Sequence, residues 1–126
     1  MPRSRATAKA AGASFERLIA DHLAAVLDDR IDRRVKTGAA DKGDIGGVRD
    51  RDGHRVVLEC KDYGGRLQPP EWIREAHTER DNDDAAVGVV VAKRRGTTAP
   101  GAQYVLMTVD DLVTLLGGAP PKETPC

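Results

Sequence analysis

Apolar positions along the chain change spacing from segment to segment, and the spacing predicts the elements. Over residues 14–28 they recur every three or four positions, the period of one helix face, and Ser14 stands where an N-cap is expected. Residues 1–12 are small, basic and without periodicity, which predicts a flexible arm. A second helix is predicted over 70–81, with its prolines at the start, where proline is tolerated.

Other segments have the length and composition of β-strands: 30–37, 44–49, 54–62, 86–92 and 104–109. The second and third flank a polar turn containing Asp52-Gly53, the pattern of a β-hairpin. The fourth, AVGVVVA, is continuously apolar, which is typical of a strand buried on both faces. A short closing helix is predicted to begin with Asp110 as N-cap and to end at Gly117-Gly118, before a disordered tail at 119–126.

The resulting order, α-β-β-β-α-β-β-α, predicts an α/β fold in which helices flank a mixed sheet. The 126 residues are enough for a single domain, placed at 13–118 between the arm and the tail. No apolar run approaches the roughly 20 residues that span a bilayer, and the basic N-terminus lacks the apolar stretch of a secretory signal. We therefore expect a cytoplasmic protein. The abundance of Ala, Arg, Asp and Gly indicates a GC-rich genome, which is compatible with a bacterial or phage-infected host cell.

Charge adds information through its distribution, because the 20 basic and 20 acidic residues cancel. Basic residues cluster in the arm, before the hairpin and after the AVGVVVA strand. Such clusters are usually solvated surface, but they also suit phosphate binding. The two cysteines, Cys60 and Cys126, have neither the number nor the spacing of a disulfide framework or a zinc site, and we expect free thiols.

The second hairpin strand carries charged residues among apolar neighbours that predict an interior strand. Glu59 and Lys61 share one face because side chains alternate, while Cys60 takes the other. With a second carboxylate nearby, such a group suits a hard cation such as Mg²⁺, which lowers the pKa of a bound water, while a lysine offsets phosphate charge. The alternative is an exposed cross-strand salt bridge, which is common and stabilises little.

The register of the hairpin decides whether Asp44 joins that face. A two-residue turn at Arg51-Asp52 sets Asp44 opposite Glu59, and one at Asp52-Gly53 sets it opposite Lys61. Both turns place Asp44 on the shared face. A three-residue turn would place it on the other face unless a β-bulge compensated.

Asp44 followed by Glu59-Cys60-Lys61 on the next strand resembles the signature of the PD-(D/E)XK nucleases, the restriction-endonuclease-like superfamily. The resemblance covers most of the chain, since the α-β-β-β-α-β core of that superfamily matches the predicted order. It is closest to the small Holliday junction resolvases of archaeal and phage type, which have a basic N-terminal segment and an acid in the first helix. Here that acid is Glu16, and Gly43 stands where the signature has proline.

The resemblance implies a metal-dependent endonuclease that resolves four-way DNA junctions by paired phosphodiester hydrolysis, as a homodimer. Mg²⁺, or Mn²⁺ in its place, would be held by Asp44, Glu59, Glu16 and the Cys60 carbonyl, and Lys61 would position the attacking water. Contacts with DNA are expected from basic residues and one hydroxyl: Arg3, Arg5, Lys9, Lys36, Thr37, Lys93, Arg94 and Arg95. Two alternatives are a related nuclease acting on forks, flaps or linear ends, and a non-catalytic DNA-binding module on the same fold.

Overall fold

The computed structural model describes residues 3–35 and 42–120. Within them the chain forms three α-helices and a five-stranded mixed sheet, which confirms the predicted α/β class. The elements are α1 (Arg5–Val26), β1 (Asp32–Arg33), β2 (Ile45–Gly46), β3 (Val56–Lys61), α2 (Pro69–Asn82), β4 (Val87–Ala92), β5 (Tyr104–Leu106) and α3 (Val109–Leu115). No helix in these ranges is both long and apolar enough to cross a membrane.

Helix α1 begins well before the predicted start. Its N-cap is Ser4, whose hydroxyl accepts the Thr7 N–H at 3.1 Å, so the N-cap predicted at Ser14 is wrong. Residues 5–12 of the predicted arm are helical because the stretch is rich in alanine, which favours helix without any apolar periodicity. Two of the arm's three basic residues, Arg5 and Lys9, therefore lie on a helix, while Arg3 precedes its N-cap.

The strands lie in the sheet in chain order, β1-β2-β3-β4-β5. Strands β1, β2 and β3 form an antiparallel meander, β3 and β4 are parallel, and β5 returns antiparallel to β4. Helix α2 makes the crossover that the parallel pair requires. This mixed sheet follows the order of elements predicted from the sequence.

Two apolar clusters pack against the two faces of the sheet. On one face Phe15 and Ile19 of α1 pack with Leu58 and the alternate valines of β4. On the other face Trp72 and Ala76 of α2 pack against Val90 and its neighbours. The fully buried β4 is thus covered on both sides, as its continuous apolar sequence predicted.

The odd-numbered residues of β3 share the α2 face. Glu59 and Lys61 lie beside Val90 and Ala92 of the neighbouring strand β4, and these two residues belong to the apolar cluster around α2. Cys60 lies on the opposite face, against the α1 cluster. The predicted alternation of these residues is confirmed.

The hairpin turn has three residues, 51–53, so both predicted two-residue turns are wrong. The Gly53 N–H donates to the Asp50 carbonyl at 3.1 Å, and the Asp50 N–H donates to the His54 carbonyl at 2.8 Å. Gly53 adopts a positive φ of 88°, the usual third position of a three-residue hairpin loop. The acidic Asp50 side chain fixes the turn by accepting two further backbone N–H bonds.

A β-bulge compensates for this turn. Near the turn Arg49 pairs with Arg55, whereas further along Ile45 pairs with Leu58, so the first strand contains one extra residue between the two pairs. The extra residue falls at Gly47, whose φ of 86° is one that glycine adopts without strain. Beyond the bulge, each residue of the first strand, Asp44 included, therefore lies on the face of the sheet that a two-residue turn would have given it.

The closing helix begins two residues earlier than predicted. Thr108, not Asp110, is the N-cap of α3, and its hydroxyl accepts the Asp111 N–H at 3.2 Å. A threonine one position before the first helical residue provides the same capping bond as an aspartate. Of the predicted tail, residues 121–126 lie outside the described residues.

Candidate active site

Asp44 is fixed at the start of β2, and the observed register places it opposite Glu59. Its N–H donates to the Leu58 carbonyl at 2.8 Å, and its carboxylate Oδ2 accepts the Cys60 N–H at 2.8 Å. The side chain thus takes the place of a backbone carbonyl in the ladder between β2 and β3, and it is only 2% exposed. A charge-assisted bond of this kind orients the carboxylate firmly.

The glycine before Asp44 is required by the backbone. Gly43 has a φ of 95°, and a Cβ there would lie 2.7 Å from Cγ1 of Val57 and 3.1 Å from the Leu58 carbonyl oxygen. Proline cannot adopt this conformation, because its ring holds φ near about −65°. The departure from the proline of the signature therefore follows from the way this chain enters β2.

Replacing Gly43 is expected to destabilise the fold more than replacing another glycine of positive φ. Gly43→Ala should lower the free energy of unfolding by about 2–3 kcal/mol, since it adds steric conflict to backbone strain. The matched control is Gly53→Ala, where φ is 88° but no atom lies within 4 Å of the added Cβ. There we expect a loss of about 1 kcal/mol in urea unfolding. Equal losses would show that the contact with Val57 is unimportant.

Lys61 lies between two carboxylates at the end of β3. Its Nζ is 2.6 Å from Oε2 of Glu75 on α2 and 3.6 Å from Oε1 of Glu59. Glu59 is buried, whereas the Glu75 side chain is 41% exposed. Glu75 is a further residue of this site that the sequence pattern did not predict. Its spacing of three residues after the buried Trp72 places it near the sheet-facing side of α2.

The environment of Lys61 keeps it positively charged. Burial lowers the pKa of Lys61, but the hydrogen bond to Glu75 and the charges of Glu59 and Glu75 outweigh it, so that the pKa is raised above its ordinary value. At neutral pH Lys61 is an ammonium group with three donors and no lone pair. It can hold a water or a phosphate oxygen, but it is not a proton acceptor.

Glu16 approaches from the other side of the sheet. Its carboxylate lies 3.7 Å from the Arg33 guanidinium on β1, and α1 packs on the face opposite to Glu59. A metal ion needs several ligand atoms close together. In the described parts of the chain, one group of three acid, imidazole or thiol side chains has its ligand atoms within 4.8 Å of one another, and it belongs to the hairpin turn. Glu16 is therefore not gathered with Asp44 and Glu59 at that distance.

The three groups of the hairpin turn are Asp50, Asp52 and His54. Asp50 Oδ1 accepts the backbone N–H groups of Asp52 and His54, each at 2.9 Å, and Oδ2 lies 3.1 Å from Nδ1 of His54. These bonds are those of an Asx turn, and they explain the proximity of the groups without a metal ion.

A basic groove of about 770 Å³ runs beside the end of β3. Its walls include the first turns of α1, Lys61 and the segment that follows it. The cations Arg3, Arg5, Lys9 and Arg66 line it, while Asp62 is its one carboxylate and is ion-paired to Arg3 at 3.1 Å. The structure thus brings the basic residues predicted in the arm next to Lys61, and it adds Arg66, which has no distinctive sequence signal.

The other predicted DNA-binding residues are distributed differently. Lys93 donates to the carbonyls of Arg94 and Thr97, and Arg94 lies 4.9 Å over the Tyr104 ring, so both shape the loop after β4. Arg95 is exposed and reaches the Gly64 carbonyl at 3.4 Å, beside the groove-lining segment. The predictions for Lys36 and Thr37 lie outside the described residues.

No family model, curated protein or solved structure matches this chain.

Proposed function

We propose that this protein is a metal-dependent endonuclease of branched DNA, with the four-way junction as its expected substrate and the PD-(D/E)XK nucleases as its family. The observation that carries the proposal is the placement of Asp44 opposite Glu59, on the face that also holds Lys61. The order of the first six elements, α1 to β4, agrees with the core attributed to those nucleases.

The donor set fits a hard divalent cation. Asp44 and Glu59 offer carboxylate oxygens from a nearly buried position, the ligand type that Mg²⁺ and Mn²⁺ prefer. A bound ion would lower the pKa of a coordinated water and offset charge on a phosphate. Asp44 is already oriented by the Cys60 N–H, so little ordering remains to be done when a cation binds. Participation of Glu16 and of the Cys60 carbonyl stays a prediction.

Lys61 is proposed to act as a fixed positive charge. Its Nζ is held between Glu59 and Glu75, and the residue also lines the basic groove. From there its ammonium group can orient a water and stabilise the negative charge that develops on a phosphodiester. Lys61 therefore links the carboxylates to the surface where DNA would lie.

The groove supplies the backbone-binding surface. Its cations would contact phosphates, a contribution that depends on salt and not on base sequence. The zero net charge of the whole chain is no obstacle, because the positive charge is concentrated beside the site.

Two symmetric cuts in a junction would require a homodimer with twofold symmetry. The first helix, the Trp72 region and the closing helix are the candidate regions for the interface, and Trp72 is buried within its own chain. Val109 and Leu116, at the two ends of α3, are 74% and 77% exposed. The closing helix is accordingly the better candidate surface, and we expect a C2 homodimer.

The test is cleavage of labelled four-way junction, fork, flap and plain duplex, each with Mg²⁺ and with EDTA. We expect paired symmetric nicks in the junction with Mg²⁺ and none with EDTA. Cleavage confined to forks or flaps would support the related nuclease instead, and equal cutting of duplex would contradict structure selectivity. Binding of junctions without cleavage under any metal condition would favour the DNA-binding module.

A further inference from the structure

An exposed aromatic ring lies in the wall of the basic groove. Tyr63 is 43% exposed, and it is two residues beyond Lys61. We propose that the groove binds an unpaired nucleotide, whose base stacks on the Tyr63 ring while Arg5, Lys9 and Arg66 hold the adjoining phosphates. This proposal rests on the DNA-binding role proposed above, and it specifies the kind of DNA segment that enters the groove.

The ring is held in place before any ligand binds. Its centroid is 5.0 Å from that of Trp72, with an interplanar angle of 60°, an edge-to-face contact with a side chain that is only 1% exposed. The backbone is fixed as well, since the Arg66 N–H donates to the Tyr63 carbonyl at 3.2 Å and the Gly64 N–H donates to Asp62 at 3.1 Å. A pre-oriented aromatic ring stacks at a low cost in conformational entropy.

Cations line the same groove as this ring. Arg5 and Lys9 are four residues apart on α1 and both line the groove, as Arg66 does. In residues 3–35 and 42–120 these three side chains have no ion pair with a carboxylate, whereas Arg3 is paired with Asp62. Three charged groups in the groove that Tyr63 lines are thus available for phosphates.

An exposed ring beside phosphate-binding cations discriminates between DNA structures. A base offers its flat face only where it is unpaired or unstacked, because neighbouring bases cover that face within a duplex. Stacking on a protein ring tolerates any base, so it reports strand structure rather than sequence. Such a groove would recognise the point where a branched DNA exposes a single strand.

The test measures binding of a fluorescein-labelled dT12 oligonucleotide in EDTA, by anisotropy. Tyr63→Ala is expected to weaken binding about tenfold, and Tyr63→Phe, which keeps the ring, to stay within about twofold. Tyr104→Ala is the matched control, since Tyr104 is similarly exposed at 46% but lies on β5 beneath Arg94. It should leave the affinity unchanged.

Two further readouts keep the proposal testable. The chain has a single tryptophan, Trp72, in contact with Tyr63, so dT12 should change its fluorescence in the wild type and not in Tyr63→Ala. Arg66→Gln, which leaves both rings intact, should reduce the slope of log Kd against log salt by about 0.7, one phosphate contact on a single strand.

Equal affinity of wild type and Tyr63→Ala for dT12 would overturn the proposal, and so would equal competition by a duplex of the same length. Because no cleavage occurs in EDTA, the result is independent of the nuclease proposal. A chain that binds dT12 through Tyr63 but cuts no branched DNA would contradict the nuclease alone. If the protein cuts branched DNA but Tyr63→Ala binds dT12 as tightly as the wild type, only the stacking proposal is contradicted.

Discussion

Asp44→Asn is expected to reduce Mg²⁺-dependent cleavage by on the order of 10³-fold while leaving the fold intact. The amide has the size of the carboxylate, and its oxygen can still accept the Cys60 N–H that Asp44 now accepts at 2.8 Å. What the substitution removes is the negative charge and the second oxygen that a hard cation needs. The loss should appear in single-turnover cleavage of a labelled junction at saturating protein.

The matched control is Asp50→Asn in the hairpin turn. Asp50 also has a nearly buried carboxylate side chain that accepts backbone N–H bonds, from Asp52 and His54, so the two substitutions are chemically alike. Asp50→Asn should leave cleavage unchanged, and both variants should unfold in urea within about 1 kcal/mol of the wild type. If Asp50→Asn lost cleavage and Asp44→Asn kept it, the metal would bind at the hairpin turn.

The sequence predicted that Glu59 and Lys61 share a face because the determinant is local, whereas the place of Asp44 opposite Glu59 depends on the bulge that offsets the longer turn. Alternation along one strand places Glu59 and Lys61 together, and this needs no knowledge of the rest of the fold. The order of the elements was equally accessible, since turn residues separate segments with distinct apolar spacing. Strand β4 is continuously apolar, and this pattern is typical of a strand that is covered on both faces, as β4 is.

Features that depend on geometry beyond one element were predicted less well. Apolar periodicity predicts a start of α1 at Ser14 because it detects only the part of a helix that packs, and residues 5–10 are exposed. The turn was predicted too short, although the consecutive Gly46 and Gly47 are a signal for the bulge that accompanies the longer turn. The spacing of Glu75 from the buried Trp72 indicates its side of α2, but its contact with Lys61 depends on how α2 packs on β3, which the spacing does not give.

Lys61→Met is expected to affect both activity and stability. Cleavage should fall by about 10²- to 10³-fold, because the fixed positive charge proposed to act on the scissile phosphate is lost. In EDTA the free energy of unfolding should fall by about 1–3 kcal/mol, since a cation 3.6 Å from the buried Glu59 carboxylate is removed and the neighbouring pair with Glu75 is partly screened by solvent.

The stability difference between wild type and Lys61→Met should also depend on pH. The pKa of Lys61 is raised in the folded protein, so protonation stabilises the fold at every pH below the unfolded value of about 10.4. That contribution is lost as the pH rises through the folded pKa. Urea unfolding of the two proteins in EDTA should therefore give a constant difference from about pH 7 to 9, and a shrinking one above about pH 10.4.

Glu75→Gln separates the ion pair from the role of the ammonium group. It removes the partner at 2.6 Å but leaves Lys61 beside Glu59, so cleavage should stay within about fivefold of wild type, less than the loss of a fixed charge causes.

A proton-accepting Lys61 would behave differently. Cleavage by the wild type would then increase with an ionisation near about pH 7–8, the range of a catalytic base. Glu75 and Glu59 raise the pKa of Lys61, so a fixed ammonium group should show no ionisation in that range. An ionisation at about pH 7–8 that is present in the wild type and absent in Lys61→Met would therefore contradict the fixed-charge role.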